Sequence, residues 1–172
     1  MKKVLFVASE STPFIKTGGL ADVVGSLPKC FDKEKYDVRV MIPKYLCIPQ
    51  EKLGDITLLT HFYVDLSWRS QYAGVFMTKV AGVTFYLIDN EYYFAGPHPY
   101  GNIHEDIEKF AFFSKAALMA LPLIDFRPDI VHCHDWQTGL VPLFLKEGFR
   151  GNDFYQGMKS VMTIHNLKYQ GR

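Results

Sequence analysis

Short apolar runs closed by polar loops, with helix-periodic stretches between them, constrain this chain more than any other feature. Residues 4–8 are a continuous apolar run, as expected of a parallel strand covered on both faces, and residues 38–42 are a second apolar run, interrupted by Arg39 and closed by Pro43. Between them Leu20, Val23, Val24 and Leu27 recur at i, i+3, i+4 and i+7, which is one face of a helix. Pro28 then ends or kinks that helix, because it has no backbone donor. Strand, helix, strand at this spacing is the unit of a parallel sheet with a right-handed crossover. The same alternation returns late in the chain. Pro128-Asp129 opens a strand over residues 130–134, a helix runs from Trp136 to about Lys146, and residues 160–164 form another buried strand ending at His165-Asn166.

The middle of the chain reads differently. Residues 61–66, 72–80 and 83–88 are strands joined by Ser67-Trp68-Arg69-Ser70 and Ala81-Gly82, a spacing that predicts antiparallel hairpins at one side of the sheet. A loop rich in Gly, Pro and Tyr over residues 90–102 leads into a long amphipathic helix whose apolar face is Ile107, Phe110, Ala111, Ser114, Ala117, Leu118 and Leu121. The expected architecture is therefore α/β: a Rossmann-like, mostly parallel sheet with helices on both faces and hairpin strands at one side. At 172 residues this is one domain with a core of its own. A net charge of +1 gives no electrostatic case for nucleic acid or an anionic membrane. No stretch has the uninterrupted apolar length of a membrane span. Three widely spaced cysteines, Cys30, Cys47 and Cys133, read as free thiols of a reducing cytoplasm rather than a disulfide framework.

In open α/β sheets, ligands bind in the crevice outside the carboxyl ends of the strands. Three polar clusters fall there: residues 9–19, His134-Asp135-Trp136, and His165-Asn166. In the first, Lys16-Thr17-Gly18-Gly19-Leu20 precedes a helix. Paired glycines admit a ligand close to backbone N–H groups, a helix N-terminus favours an anion, and lysine adds a mobile positive charge. A tight turn with an exposed lysine accounts for the same residues. It is neither a kinase-type phosphate loop nor the G-x-G-x-x-G of a dinucleotide fold, which disfavours a nicotinamide-dependent oxidoreductase. Asp135 reads first as a helix cap, Trp136 as a packed ring and His165 as a hydrogen-bonded strand-end histidine, each compatible with a ligand role. His132 and His134 share a strand face, but Cys133 points the other way and no second ligand pair follows, so no metal site is expected.

At these residues the chain resembles a family. The segment Lys3-Val4-Leu5-Phe6-Val7-Ala8-Ser9-Glu10, then Pro13-Phe14, then Lys16 through Pro28 is similar to the opening of bacterial glycogen synthases and plant starch synthases. His132-Cys133-His134-Asp135-Trp136-Gln137-Thr138 and Thr163-Ile164-His165-Asn166-Leu167, with Tyr169-Gln170-Gly171, resemble two further signatures of that family, in its order. The resemblance implies a retaining glycosyltransferase of the two-domain GT-B type, with residues 1–172 as the N-terminal, acceptor-side domain and the C-terminal nucleotide-binding domain absent. It implies glucose transfer from ADP-glucose, in preference to UDP-glucose, to the non-reducing end of an α-1,4-glucan, with no cofactor. Lys16, Gly18 and Gly19 would face the donor, with Asp22 close by. His165 and Asp135 would be catalytic, His165 orienting the sugar and stabilising positive charge near its anomeric carbon. Tyr93, Trp136 and Asn166 would contact sugar on the acceptor side. Gln137 stands where many relatives carry His. The last strand has no covering helix after it, so a longer natural protein is expected, and the fragment alone is expected to fold without transferring glucose. A glucan- or nucleotide-binding module that does not catalyse is the alternative.

Overall fold

The computed structural model describes residues 1–171. Its strands are β1 (Lys2–Val7), β2 (Tyr36–Pro43), β3 (Thr57–Leu66), β4 (Arg69–Val80), β5 (Val83–Asp89), β6 (Ile130–His134) and β7 (Lys159–Thr163). They form a seven-stranded sheet in the order β3-β4-β5-β2-β1-β6-β7. From β5 to β7 every pairing is parallel, and β3-β4-β5 are antiparallel hairpins at one side. The helices are α1 (Gly19–Ser26), α2 (Gln50–Leu53), α3 (Glu91–Phe94), α4 (Ile103–Leu123) and α5 (Leu140–Leu143). This is the expected Rossmann-like half of a GT-B fold. Helical segments cover both faces. Phe126, just past α4, lies against Tyr86 and the Arg39 guanidinium on one face. Phe31, just past the 3-10 turn Leu27–Cys30, packs edge-on to Phe6 on the other. The strands between are apolar on both sides: Leu5, Phe6, Val40, Met41, Phe85, Leu87 and Val131 are buried.

Several local expectations change. Pro28 does end α1 at Ser26, but the chain continues as a 3-10 turn and leaves Leu27 exposed. β3 and β4 start four and three residues earlier than expected, at Thr57 and Arg69, and their loop is only Ser67-Trp68. Cross-strand pairing extends them where alternation alone gives no signal. In α4 the expected face is buried except at Ala111, which is half-buried, and Ile107, which is 47% exposed one turn from the N-terminus. The continuous helix from Trp136 does not form. It is broken into a 3-10 turn (Trp136–Thr138), α5, and a π turn (Phe144–Gly148). Pro142 sits inside α5 and has no N–H to give to Thr138, so the α-ladder cannot run through. β7 was expected to be buried and is not: Val161 is 45% exposed and Ile164, just beyond, 59%. Among the described residues only β6 pairs with it.

Candidate active site

Topology selects the site. The chain leaves β1 toward β2 on one side and leaves its neighbour β6 toward β7 on the other, so the connections diverge at the carboxyl ends of β1 and β6. That is the switch point at which open α/β sheets hold ligands. A cavity of about 780 Å3 lies there, lined by Gly18, Gly19, Asp135, Trp136, His165 and Asn166 among others. The three loops that the sequence placed at strand ends do converge.

The loop after β1 is organised by a residue that sequence reasoning passed over. Glu10 is 1% exposed. Its Oε2 accepts from the Thr17 backbone N–H (3.0 Å) and hydroxyl (2.5 Å), and its Oε1 accepts from the Gly18 N–H (3.2 Å). One carboxylate thus takes up two backbone donors of this loop, and one of them, Gly18 N–H, belongs to the paired glycines expected to meet a ligand. Beside it the hydroxyls of Ser9 and Tyr100 lie 2.7 Å apart, and Tyr45 donates to the Ser9 carbonyl. Burial pushes the Tyr100 phenol well above its ordinary range, and the Glu10 charge adds to the effect. The only sequence signal for Glu10 was a carboxylate set between two serines just ahead of Gly-Gly.

Asp135 does not cap the turn that follows it. Its backbone lies at φ 58°, ψ 180°, a region in which side chains are strained and which persists only when neighbours hold it. They do. The Asp135 N–H donates to the Thr163 carbonyl (2.9 Å), and its Oδ1 accepts from the His165 N–H at 2.6 Å. Thr138 fastens the turn instead, accepting from the His134 N–H (2.8 Å) and donating to the His134 carbonyl (2.9 Å). The strain therefore aims a carboxylate across the gap between β6 and β7 at the base of the third loop. His134 is fully buried, and its Nδ1 lies 2.9 Å from His165 Nε2 with the rings 12° from parallel. Burial, reinforced by the other two imidazoles, drives the His134 pKa down to about 3. His132 and His134 share a face, with ring centroids 4.2 Å apart, while Cys133 is buried on the other face with its thiol pushed up to about 12. Among the described residues no three His, Cys, Asp or Glu side chains cluster so as to hold a metal.

Trp136 packs edge-on to Phe110 of α4, and Gly171 lies over its ring so closely that a Cβ would sit 2.9 Å from Trp136 Cε3. The loop after β7 thereby folds back over the cavity. Lys16 and Asp22 pair with each other at 2.7 Å, each side chain 53% exposed, and neither lines the cavity. Tyr93 is buried, its hydroxyl donating to Glu108 (2.7 Å), and it lines a second cavity of about 510 Å3 that shares Tyr100, Gly101 and Asp106 with the first.

The sheet order and its crevice define a class: one Rossmann-like half of a GT-B glycosyltransferase fold. The family profile described as starch synthase catalytic domain matches residues 3–172, and the chain belongs to that family. It is 70% identical over 171 residues to the glycogen synthase of Lachnospira eligens, an alignment covering 99% of this chain and 36% of the relative. It is 63% identical to that of Lachnoclostridium phytofermentans over the same shares. The chain thus spans about a third of the length of these relatives. Among solved structures it is similar to the catalytic domain of starch synthase IV from Arabidopsis thaliana bound to ADP and acarbose. The TM-score is 0.85 at 31% identity, covering 99% of this chain and 35% of that one.

Proposed function

We propose that this chain is the acceptor-side domain of a cytoplasmic glycogen synthase, which transfers glucose from ADP-glucose with retention to the non-reducing end of an α-1,4-glucan. One observation carries the reading. The three segments by which the chain resembles glycogen synthases come together in one crevice at the switch point of the sheet. On this reading Lys16, Gly18, Gly19 and Asp22 serve the donor. Because Gly18 N–H is committed to Glu10, Lys16 and the start of α1 are the loop's groups for a diphosphate. Asp135 fixes the backbone of His165, so that its imidazole stands beside the sugar as positive charge develops at the anomeric carbon. Trp136 and Asn166 line the same wall, and Tyr93 shapes the neighbouring cavity toward the acceptor. Groups on a second domain would complete the site, because transfer to a glucan needs water excluded and both substrates held in register. Free thiols at Cys30, Cys47 and Cys133 suit a reducing compartment.

The test joins residues 1–172 to the remainder of the Lachnospira eligens relative and follows labelled glucose from ADP-glucose into glycogen. Incorporation that an α-1,4-specific amylase releases, faster than with UDP-glucose, is expected, and none from the chain alone. Glycogen binding without transfer by the joined protein would instead make this a carbohydrate-binding module.

A further inference from the structure

The geometry points to His134 as a positioning residue: its buried imidazole donates Nδ1–H to Nε2 of His165 and so fixes both the orientation and the tautomer of that ring. Three observations converge. First, the two nitrogens are 2.9 Å apart, the ring centroids 5.2 Å apart and the rings 12° from parallel, so nitrogens and centroids fall nearly on one line and the bond lies close to both ring planes. Second, His134 cannot turn away. It is fully buried, stacked on His132 with centroids 4.2 Å apart, packed against Phe6 at 5.1 Å, and tied at its backbone to Thr138. Third, His134 Nε2 is buried without a partner. A neutral imidazole has one N–H and one lone pair, and a buried N–H without an acceptor is the rarer orphan. Placing the proton on Nδ1 leaves the lone pair at Nε2 as the orphan and spends the N–H on His165. His165 must then accept at Nε2 and carry its own proton on Nδ1.

Consecutive residues consequently hold the third loop at two points. The Asp135 carboxylate takes the His165 backbone N–H at 2.6 Å, and the His134 ring takes the His165 side chain. The strained Asp135 backbone is what lets neighbours in sequence reach the same residue from strand β6. The orienting group is a neutral ring. A carboxylate in its place would favour the charged imidazolium, whereas His134 directs the ring and adds no charge. The depressed His134 pKa, caused first by burial, keeps it neutral at any working pH.

The tautomer claim stands on the structure alone; the catalytic consequence rests on the glucosyl-transfer reading. Long-range 15N–1H correlation spectra of the labelled chain at about pH 8 read the tautomers directly. Expected is a single species with His165 protonated on Nδ1 and His134 on Nδ1. His165 protonated on Nε2, or a rapidly exchanging mixture, overturns the proposal. His134→Phe keeps a planar ring without the donor and should turn His165 into a mixture. In the joined two-domain protein it should lower kcat on the order of 10- to 100-fold while KM for ADP-glucose stays within about twofold. His134→Asn, which returns an amide donor near Nδ1, should recover part of kcat and the single tautomer. Wild-type spectra and kcat in His134→Phe refute the idea. An inactive joined wild type with the expected spectra refutes the glucosyl-transfer reading and leaves the tautomer assignment standing.

Discussion

Lys16 and Asp22 face each other at 2.7 Å with half of each side chain in water, and such pairs contribute only about 0–1 kcal/mol to stability. If Lys16 serves the donor as proposed, a diphosphate would offer it more than Asp22 does, since hydrogen bonds between charged groups contribute roughly 1.5–3 kcal/mol net when less solvated. In the two-domain protein Lys16→Gln should therefore lower kcat/KM for ADP-glucose on the order of 10- to 150-fold. Melting of the chain should stay within about 0.5 kcal/mol of wild type, and exposed Lys29→Gln should change neither quantity. Full activity in Lys16→Gln would return Lys16 to the status of a surface lysine. His134 makes the opposite kind of contribution, to stability through pH. Its pKa is about 3 when folded against 6.5 for a free imidazole, so between those values the unfolded chain binds the extra proton and stability falls as pH falls. The slope is at most about 1.4 kcal/mol per pH unit, which amounts to about 2 kcal/mol lost from His134 between roughly pH 7.5 and pH 5. His132, lowered mainly by burial, acts in the same direction. Urea unfolding at the two pH values should show this loss in wild type and a smaller one in His134→Phe. Equal losses would mean that other groups govern the acid limb.

At the scale of elements, α1 depends on a missing side chain. A Cβ on Gly25 would lie 2.0 Å from Thr12 Oγ1 and 2.7 Å from the Thr12 carbonyl oxygen, so this helix and the loop after β1 touch backbone to helix. Alanine in a helix interior is favoured over glycine by about 1 kcal/mol, but forcing a methyl into a filled contact costs about 1–3 kcal/mol. The carbonyl cannot swing away as a side chain could, so the clash should win. Gly25→Ala is expected to lower the unfolding free energy by up to about 2 kcal/mol once the helix preference is subtracted, and in the joined protein to weaken donor binding by displacing residues 16–19. A more stable variant in chemical denaturation would show that the loop yields. The strands, the long helix and the hairpins were legible from apolar run length and periodicity, although at β7 the apolar run marks a strand and not burial, since Val161 and Met162 are exposed. Glu10 was not, because nothing in periodicity says which loop side chain turns inward to take backbone N–H groups. Asp135 was read as a cap for the same reason: its residue type and place before a turn suit a cap, and only β7 alongside reveals the His165 N–H as its partner. Pro142 was visible in the sequence, yet apolar spacing through residues 136–146 masked the break it causes.

Seen as a whole, the molecule is covered unevenly. The centre of the sheet is shielded on both faces, while β7 at one margin has a single neighbouring strand among the described residues and leaves Val161 and Met162, with Ile164 just beyond, exposed. Edge strands in stable monomers are blunted by charge, proline, bulges or a covering element. β7 opens with Lys159, but its later residues, Val161, Met162 and Thr163, carry no charge, and Leu167 and Tyr169 extend the apolar surface past its end. The other margin, β3, also exposes apolar side chains at Leu58, Leu59 and Tyr63, but a register shift between Leu58 and Thr60 distorts its ladder, as bulges that discourage edge pairing do. The two edges therefore differ in hazard, and β7 should dominate. The chain by itself is expected to associate reversibly as concentration rises, through β7 and the apolar loop after it. Ile164→Lys places a charge beside that ladder without touching the core, since Ile164 is already 59% exposed. Sedimentation velocity across a concentration series should show wild type shifting toward dimer, Ile164→Lys remaining monomeric, and Leu58→Lys on β3 behaving as wild type. Joining the chain to the rest of the Lachnospira eligens relative should suppress the association if that polypeptide lies over β7, and backbone amides of residues 159–163 should then exchange more slowly with deuterium than in the chain alone. Association abolished by Leu58→Lys rather than Ile164→Lys would place the exposed edge at the hairpins and leave β7 protected by its own twist.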